Sequence, residues 1–524
     1  MAPHAEIELK FLVPASARKE LAAEMARGSA SLERSSLAAM YLDTADRRLA
    51  RAGLAWRLRR EGRRWIQALK AGGTQALERF EHEAIRPDAT PDAAEHRGTP
   101  PGDRLMTLLR RAAVEGLAPE VRYRTEVRRT SRRVRTKGAV VDIAFDEGRL
   151  LAGASVARIR EIEFELVSGS TVAMLALVER WRKRFGLLLD PRSKAERGDR
   201  LAEGCPHPPL RKALPPDYAA PSTAEQAFAA VMDECLAQIL RNAIGLAEGD
   251  PARQVEHVHQ LRVGIRRLRS ALRLFDGWVP PAPAERIAEL RVLFETLGRA
   301  RDRSVLDSVV VDALVKIGAP ALEFPADEQA PDVVATIRSE PTQRLLLAWT
   351  AWRAGLDELS DLTASDSESP ASEGVDGETA TSDGQLSDDP PHHGNGRSFA
   401  KRVRRRLRRW HARIVEDHAR FDELDESELH ALRKRIKRQR YAVEFVAPVM
   451  SRRSTERYLS ALATIQDRMG ELNDLFCARQ RYQALVASDP TAWFALGWLA
   501  ARIAELRVTA VPALGMLARA ELPR

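Results

Sequence analysis

The chain is expected to be a multi-domain protein in which an N-terminal α+β unit, built on a mainly antiparallel sheet, is followed by an all-α region. Three observations carry that expectation. Apolar and polar residues alternate at period two in short runs between Ala5 and about Leu189, apolar residues recur at three and four beyond Thr223, and part of the second half repeats itself. At 524 residues the chain also exceeds what one hydrophobic core holds, roughly 250–300 residues.

Strand signals come first, in Ile7/Leu9/Phe11, Trp65 to Leu69, Val140 to Phe145 and Ile159 to Val167. Helical stretches near Ala15–Ala26 and Val172–Phe185 interrupt them. Residues 204–222 hold six prolines and little periodicity, which reads as a linker. From Thr223 onward alanine, leucine and arginine dominate, and no strand run stands out. There, His259-Gln-Leu261-Arg262-Val-Gly-Ile265-Arg266-Arg267-Leu-Arg269 matches His430-Ala-Leu432-Arg433-Lys-Arg-Ile436-Lys437-Arg438-Gln-Arg440, and Leu297-Gly298 followed by Asp302 recurs as Met469-Gly470 followed by Asp474. Two similar helical bundles are implied. Between them the Ser/Asp/Gly-rich stretch 363–397 reads as a disordered insertion.

Apolar residues at 44% and charged residues at 30% suit ordinary globular material. The net charge of +9 understates the basic character, because Thr363 to Gly396 holds eight Asp or Glu and no Lys or Arg. Such an excess points to polyanionic partners. Cys205, Cys235 and Cys477 lie far apart without metal-ligand spacing, so neither a disulfide framework nor a zinc site is expected and a reducing cytoplasm is the simplest home. Charged residues come too early for a signal peptide, no stretch approaches the roughly 20 apolar residues of a spanning helix, and a soluble protein with no membrane partner follows.

Glu6-Ile-Glu8-Leu-Lys10 places two carboxylates and an ammonium on one face of a strand and apolar side chains on the other. The pattern returns at Arg57-Leu-Arg59, Arg79-Phe-Glu81-His-Glu83, Arg124-Thr-Glu126-Val-Arg128 and Glu161-Ile-Glu163-Phe-Glu165, while Lys70 and Lys194 end further segments. One such strand reads as a solvated sheet face; five read as a wet lumen. Carboxylates are hard donors suited to Mg²⁺ or Mn²⁺, and Arg and Lys neutralise phosphate oxygens.

These residues, with Tyr41-Leu-Asp43-Thr44, the Asp142 to Gly148 segment and Ser193-Lys194, follow the order seen in CYTH domains, the triphosphate tunnel metalloenzymes. The resemblance covers residues 4–203. It implies an eight-stranded tunnel and metal-dependent hydrolysis of inorganic triphosphate or an organic triphosphate such as thiamine triphosphate, with adenylate cyclisation as the alternative in some relatives. It also implies metal ligation by Glu6, Glu8, Glu161 and Glu163, joined by Glu165 and Asp146. Lys10, Arg57, Arg59, Lys70, Arg128 and Lys194 are the implied phosphate-binding residues. Ala68 stands where a hydroxyl residue is expected and Trp56 where a small aliphatic is, which bears on substrate choice.

On the helical side, His259, Arg262, Arg266, Arg269 and Arg273 share one stripe, as do His430, Arg433, Lys437 and Arg440; Leu261, Ile265, Leu268 and Leu272, or Leu432, Ile436 and Val443, form the apolar stripe. Like charges three and four apart repel, so an anion is expected to neutralise them. The run Lys401 to His411 adds charge all round its helix. Residues 223–520 resemble the CHAD domain, which implies two pseudo-symmetric four-helix bundles and a basic cleft that binds long-chain polyphosphate, with association with polyphosphate granules. His259 and His430 read as phosphate-binding or helix-capping groups, since no second metal ligand is nearby in sequence. A scaffold with a silent barrel is the alternative of a different class. Nucleic acid is disfavoured as a partner by the scarcity of aromatics on the basic stripes. No sequence feature sets the oligomeric state.

Overall fold

Alternation at period two sends successive side chains to opposite sides of a strand, and in the computed structural model those runs form β1 (His4–Leu12), β2 (Glu33–Asp43), β3 (Leu54–Glu61), β4 (Arg64–Gly72), β5 (Glu78–Arg86), β6 (Glu120–Thr136), β7 (Ala139–Ala152), β8 (Ser155–Gly169) and the short β9 (Leu188–Leu189). The helices of this part are α1 (Arg18–Ala26), α2 (Arg48–Arg51), α3 (Pro100–Val114), α4 (Thr171–Phe185) and α5 (Lys194–Ala202). The structure describes residues 4–27, 31–72, 78–220, 222–305, 310–320, 322, 324, 331–366 and 396–523; for 4–6, 78–79, 300–305, 356–366 and 396–398 it describes the backbone alone.

The sheet runs β5-β4-β3-β2-β6-β7-β8-β1, and a further pairing of β5 with β1 closes it into a ring of eight strands, with β9 added at the end of β1. Every pairing is antiparallel. Closure leaves no open edge along those eight strands. The outer face is apolar where helices cover it: Leu42, Leu54, Trp56, Leu58 and Leu69 pack with Leu49 of α2 and Leu105 of α3. Each such side chain contributes roughly 1.5–3 kcal/mol relative to exposure. Helix α3 was not anticipated, although Thr99, whose hydroxyl accepts from the Gly102 N–H, and the prolines after it are ordinary helix-start signals. Helix α4 starts where Ser170 accepts from Val172 and Ala173 and stops at Gly186, whose φ of 59° suits glycine.

The later helices are α6 (Ala224–Glu248), α7 (Gln254–Leu274), α8 (Ala284–Val305), α9 (Asp312–Lys316), α10 (Val333–Arg338), α11 (Glu340–Asp366), α12 (Gly396–Ala419), α13 (Glu426–Val446), α14 (Arg452–Leu485) and α15 (Ala492–Ala518). The repeated motif falls on α7 and α13, each of 21 residues and each flanked by long helices. The acidic stretch leaves α11 at Asp366, and 367–395 lie outside the described residues. Compactness does not follow chain order. One unit comprises Met1–Arg211, Leu240–His257 and Val334–Ser369, the other Lys212–Ile239, Val258–Val333 and Pro370–Arg524, so the first break falls inside the proline-rich segment. Among the described residues no helix is long and apolar enough to cross a membrane.

Two histidines of the first unit are buried. His96 lies with Nδ1 2.8 Å from His82 Nδ1 and Nε2 3.0 Å from the Gln67 amide. His257 has Nδ1 3.1 Å from Asn242 Oδ1. Burial, aided by the neighbouring His82 or Arg253, pushes each imidazole down to about 4 from the ordinary 6.5. Because the folded pKa is depressed, the unfolded chain takes up protons first, so stability is full above pH 6.5 and falls as pH drops towards 4. At pH 5 each site is expected to cost about 2 kcal/mol. Thermal melts from pH 7.5 to 5 check this: His96→Gln should flatten the dependence, and an unchanged slope would contradict it.

Candidate functional site

Strand register decides which charged residues meet. Glu8, Lys10 and Leu12 of β1 lie opposite Glu165, Glu163 and Glu161 of β8; Asp142, Ala144 and Asp146 of β7 lie opposite the same three glutamates from the other side. Arg57 and Arg59 of β3 lie opposite Tyr41 and Ala39 of β2, and Lys70 and Ala68 of β4 opposite Glu81 and Glu83 of β5. Given the two-residue pleat, all these positions share the face turned away from the helix-covered core, the lumen of the ring.

At one part of the lumen three carboxylates converge. Asp146, Glu161 and Glu163 present oxygens within 4.8 Å of one another. Lys194, the first residue of α5, holds them together: its ammonium is 2.8 Å from Asp146, 2.6 Å from Glu161 and 2.6 Å from Glu163. Arg129 grips Asp146 in a fork at 2.8 and 2.7 Å and reaches Glu163 at 2.6 Å, while Arg197 donates to Glu161 at 2.7 Å. Burial alone would raise the Asp146 and Glu163 carboxyls, but Lys194 and then Arg129 override it and hold Asp146 below, and Glu163 well below, the usual range. Burial likewise opposes the Lys194 charge, and the three carboxylates hold that ammonium well above its ordinary value.

The neighbouring carboxylates are less compensated. Glu165 has its carboxyl raised by burial and then by Glu8, with Asp142 and Glu81 adding to the repulsion and Lys70 opposing it. Across the lumen Arg57 lies 2.9 Å from Glu81 and 3.4 Å from Glu83, Lys70 pairs with Glu81, and Arg59 lies 3.4 Å from Glu83 and 2.5 Å from Glu61. Burial and the adjacent Arg57 hold the Arg59 guanidinium below its ordinary value despite those two glutamates. Lys10 is buried, and its backbone carbonyl accepts from Asp190, whose carboxylate forms a fork with Arg192 at 2.8 and 2.8 Å.

One end of the lumen is filled. Tyr41 and Tyr123 stack with ring centres 4.7 Å apart, and Ala39, Val127, Leu150, Ile159 and Leu201 of α5 pack around them. A Cβ on Gly198 would fall 2.2 Å from the Tyr123 ring, so only glycine lets α5 approach this closely. Arg47, held at φ 63°, fastens the same helix through a fork on Asp199. Asp43 accepts from the Thr44, Leu49 and Ala50 amides and so builds the turn into α2.

The expected residues are therefore placed as follows. Glu8, Lys10, Arg57, Arg59, Lys70, Glu161, Glu163, Glu165, Asp146 and Lys194 share the lumen, and Lys194 is engaged by carboxylates. Glu6 takes the next inward register on β1, opposite Arg79, with its side chain outside the description. Arg128 is not brought to the cluster: it is exposed on the other side of β6, opposite Glu147, and its neighbour Arg129 takes the inward position. A strand of alternating charge admits both parities, and only the partner strand selects one. Trp56 points to the outer core, away from the lumen, whereas Ala68 faces inward between Arg57 and Glu83.

The second unit concentrates positive charge. Leu261, Ile265 and Leu268 of α7, and Leu432, Ile436 and Val443 of α13, are buried as their stripes require. Arg262, Arg266 and Arg269 gather over one ring, Phe294 of α8, at 4.4, 5.8 and 5.9 Å. Gly298 makes room, since a Cβ there would lie 2.2 Å from the Arg262 guanidinium; its counterpart Gly470 has no such neighbour. Arg273 is exposed and His259 half-buried. On α13, His430 Nδ1 is 2.9 Å from Asn473 Oδ1, Arg440 is 2.9 Å from Glu444, and Arg433 and Lys437 are half-buried. Arg438 and Arg267 were not singled out beforehand. Arg267 is buried and joins α7 to α13 through Glu444 at 2.5 Å. Arg438 lies 4.7 Å from the Trp410 ring, and burial together with Arg273, Arg413 and Arg435 pushes its guanidinium down to about 10.

A family model for the CYTH domain matches residues 4–198 and one for the CHAD domain matches residues 230–483. An inorganic triphosphatase of Haemophilus influenzae is 29% identical over 200 residues, covering 37% of this chain and 54% of that protein. The chain thus spans about half the length of that relative. Among solved structures, a CHAD domain from the plant Ricinus communis is 28% identical, with 60% of this chain and 99% of that one covered and a TM-score of 0.45. A Hippeastrum protein, described as a candidate adenylyl cyclase with a dominant triphosphatase activity, is 21% identical, with 38% and 96% covered and a TM-score of 0.26.

Proposed function

We propose that this chain, a CYTH domain followed by a CHAD domain, hydrolyses a phosphoric anhydride bond of inorganic triphosphate, or of a similar triphosphate, in the barrel lumen with the help of a divalent cation, and binds long-chain polyphosphate on its basic helices. The observation that carries the first part is a charge imbalance of both signs in one lumen. Glu165 is raised by burial and then by Glu8 and its other acidic neighbours, while Arg59 is depressed by burial and then by Arg57. A cation bound to an oligophosphate relieves both at once, and neither ion alone does.

The donor set fits a hard cation, since every candidate ligand is a carboxylate. Asp146, Glu161 and Glu163 already have Lys194, Arg129 and Arg197 around them, so Glu8 and Glu165, with Glu6, are the carboxylates that would first hold Mg²⁺ or Mn²⁺, and Glu163, next to Glu165 in the same row of β8, would join them where the ion displaces Lys194. When bound, such an ion polarises phosphoryl oxygens and lowers the pKa of a water. Arg57, Arg59, Lys70 and Lys10 bind the phosphate oxygens and stabilise charge on the transferred group. Lys194 and Arg129 hold the carboxylates in place before substrate enters. The packed Tyr41–Tyr123 end excludes water from that side. Retention of both the acidic and the basic groups favours an active barrel over a silent one. Three free cysteines suit a cytoplasmic setting.

The polyphosphate reading rests on Arg438, half-buried among Arg273, Arg413 and Arg435, and on the guanidinium groups over Phe294. Those rings lie under arginines, where a base would not reach them, which favours phosphate chains over nucleic acid. Competition at about 150 mM salt tests this, because phosphate contacts weaken steeply with salt. Polyphosphate is expected to displace DNA at equal phosphate concentration, and preferential retention of DNA would contradict the reading.

A further inference from the structure

The outer face of the barrel carries a second basic feature, separate from the lumen and beside the start of α1. Where β6, β7 and β8 run past the start of α1, a recess of about 630 Å³ is lined by Arg18, Arg128, Arg149, Arg158 and Arg160, with Glu126 and Glu147 as its carboxylates. Register builds it as two cross-strand rows. Arg128, Glu147 and Arg160 form one, and Glu126, Arg149 and Arg158 the other.

Both glutamates are already committed. Glu147 pairs with Arg18, and Glu126 accepts from Arg149 at 2.8 Å. Arg160 donates to the Val13 carbonyl at 2.6 Å. Arg128 and Arg158 are exposed, and among the described residues neither makes a side-chain ion pair or hydrogen bond. Arg149 and Arg158 stand directly opposite each other, a like-charge pair that weakens a sheet unless something sits between them. An ordinary solvated face does not need five arginines against two occupied carboxylates in a concave site.

We propose that this recess is an exosite for a linear inorganic polyphosphate chain, held between Arg128, Arg149 and Arg158 outside the lumen. Arginine forks suit bidentate phosphate contacts. The other lining residues are Ser36, Val127, Gly148 and Ile159, so no aromatic ring offers a stacking platform for a base and no large apolar side chain protrudes to enter a bilayer. A flexible chain of phosphates with no apolar part is the polyanion that fits.

Arginine-selective modification of the full chain by phenylglyoxal, read residue by residue by peptide mass spectrometry, tests the site even though the helices also bind. Short-chain polyphosphate at roughly four times its dissociation constant is expected to slow modification of Arg128 and Arg158 by about fivefold, as mass action requires. In Arg158→Glu, with an unchanged melting temperature, protection of Arg128 should be lost. Absence of protection at polyphosphate concentrations that saturate the protein would overturn the proposal. So would protection of Arg128 that survives in the variant, or equal protection by duplex DNA or by phosphatidylserine vesicles.

Discussion

Lys194→Met is expected to lower the stability of the barrel by about 3–5 kcal/mol at neutral pH, because it removes the shared cation from three buried carboxylates. Lys194 is the contact common to Asp146, Glu161 and Glu163, and its side chain is only 14% exposed, so water cannot replace it cheaply. For a unit of this size the loss corresponds to roughly 10 °C in melting temperature. Two further readouts follow. Asp146 and Glu163 have folded pKa values below their unfolded ones, so their contribution is full above the unfolded values and is lost only as pH falls through the lower folded ones; wild type and variant should converge only below about pH 4. Mg²⁺ or Mn²⁺ should recover part of the loss, since the vacated carboxylates offer hard donors within 4.8 Å of one another. A variant that melts like wild type in chelator would show that Lys194 is not the neutralising group.

Glu8→Gln is expected to cut turnover of tripolyphosphate by on the order of 10²–10³-fold while leaving binding of long polyphosphate to the helices intact. Glu8 lies opposite Glu165 on the neighbouring strand and contributes to the repulsion that raises its carboxyl. The amide keeps the shape and removes the charge, so the Glu165 carboxyl should return towards its ordinary value and the melting temperature should hold or rise. Retained turnover would remove Glu8 from the metal ligands. Unchanged folding with lost turnover is the pattern that separates a role at the lumen from a role in the barrel wall.

Much of this site was legible in the residues because strand period is rigid. Glu8-x-Lys10 and Glu161-x-Glu163-x-Glu165 can only present their charges on one face, and the structure puts both on the lumen side. β6 was harder. It alternates Arg124, Glu126 and Arg128 on one face with Thr125, Val127 and Arg129 on the other, and both faces carry charge. Its parity follows from pairing Arg129 with Asp146, a contact between strands that no local pattern contains. Lys194 was named from the sequence as a phosphate-binding residue and Arg197 was not named; the contacts of both with the carboxylates depend on α5 entering the end of the ring, which turns on the missing side chain of Gly198 beside Tyr123. On the helices, the stripes of α7 and α13 were visible from spacing, but Arg267 and Arg438 owe their surroundings to Glu444 and Trp410 on packed neighbours. Helix α3 had ordinary start signals and was obscured by the strand runs around it.

The measurement closest to the central claim is phosphate release by the purified full chain from tripolyphosphate, ATP and long-chain polyphosphate, each with Mg²⁺, with Mn²⁺ and with EDTA. Release from tripolyphosphate that needs the divalent cation and stops in EDTA is the expected result. No release from any of the three substrates with either cation, while polyphosphate remains bound, would contradict it.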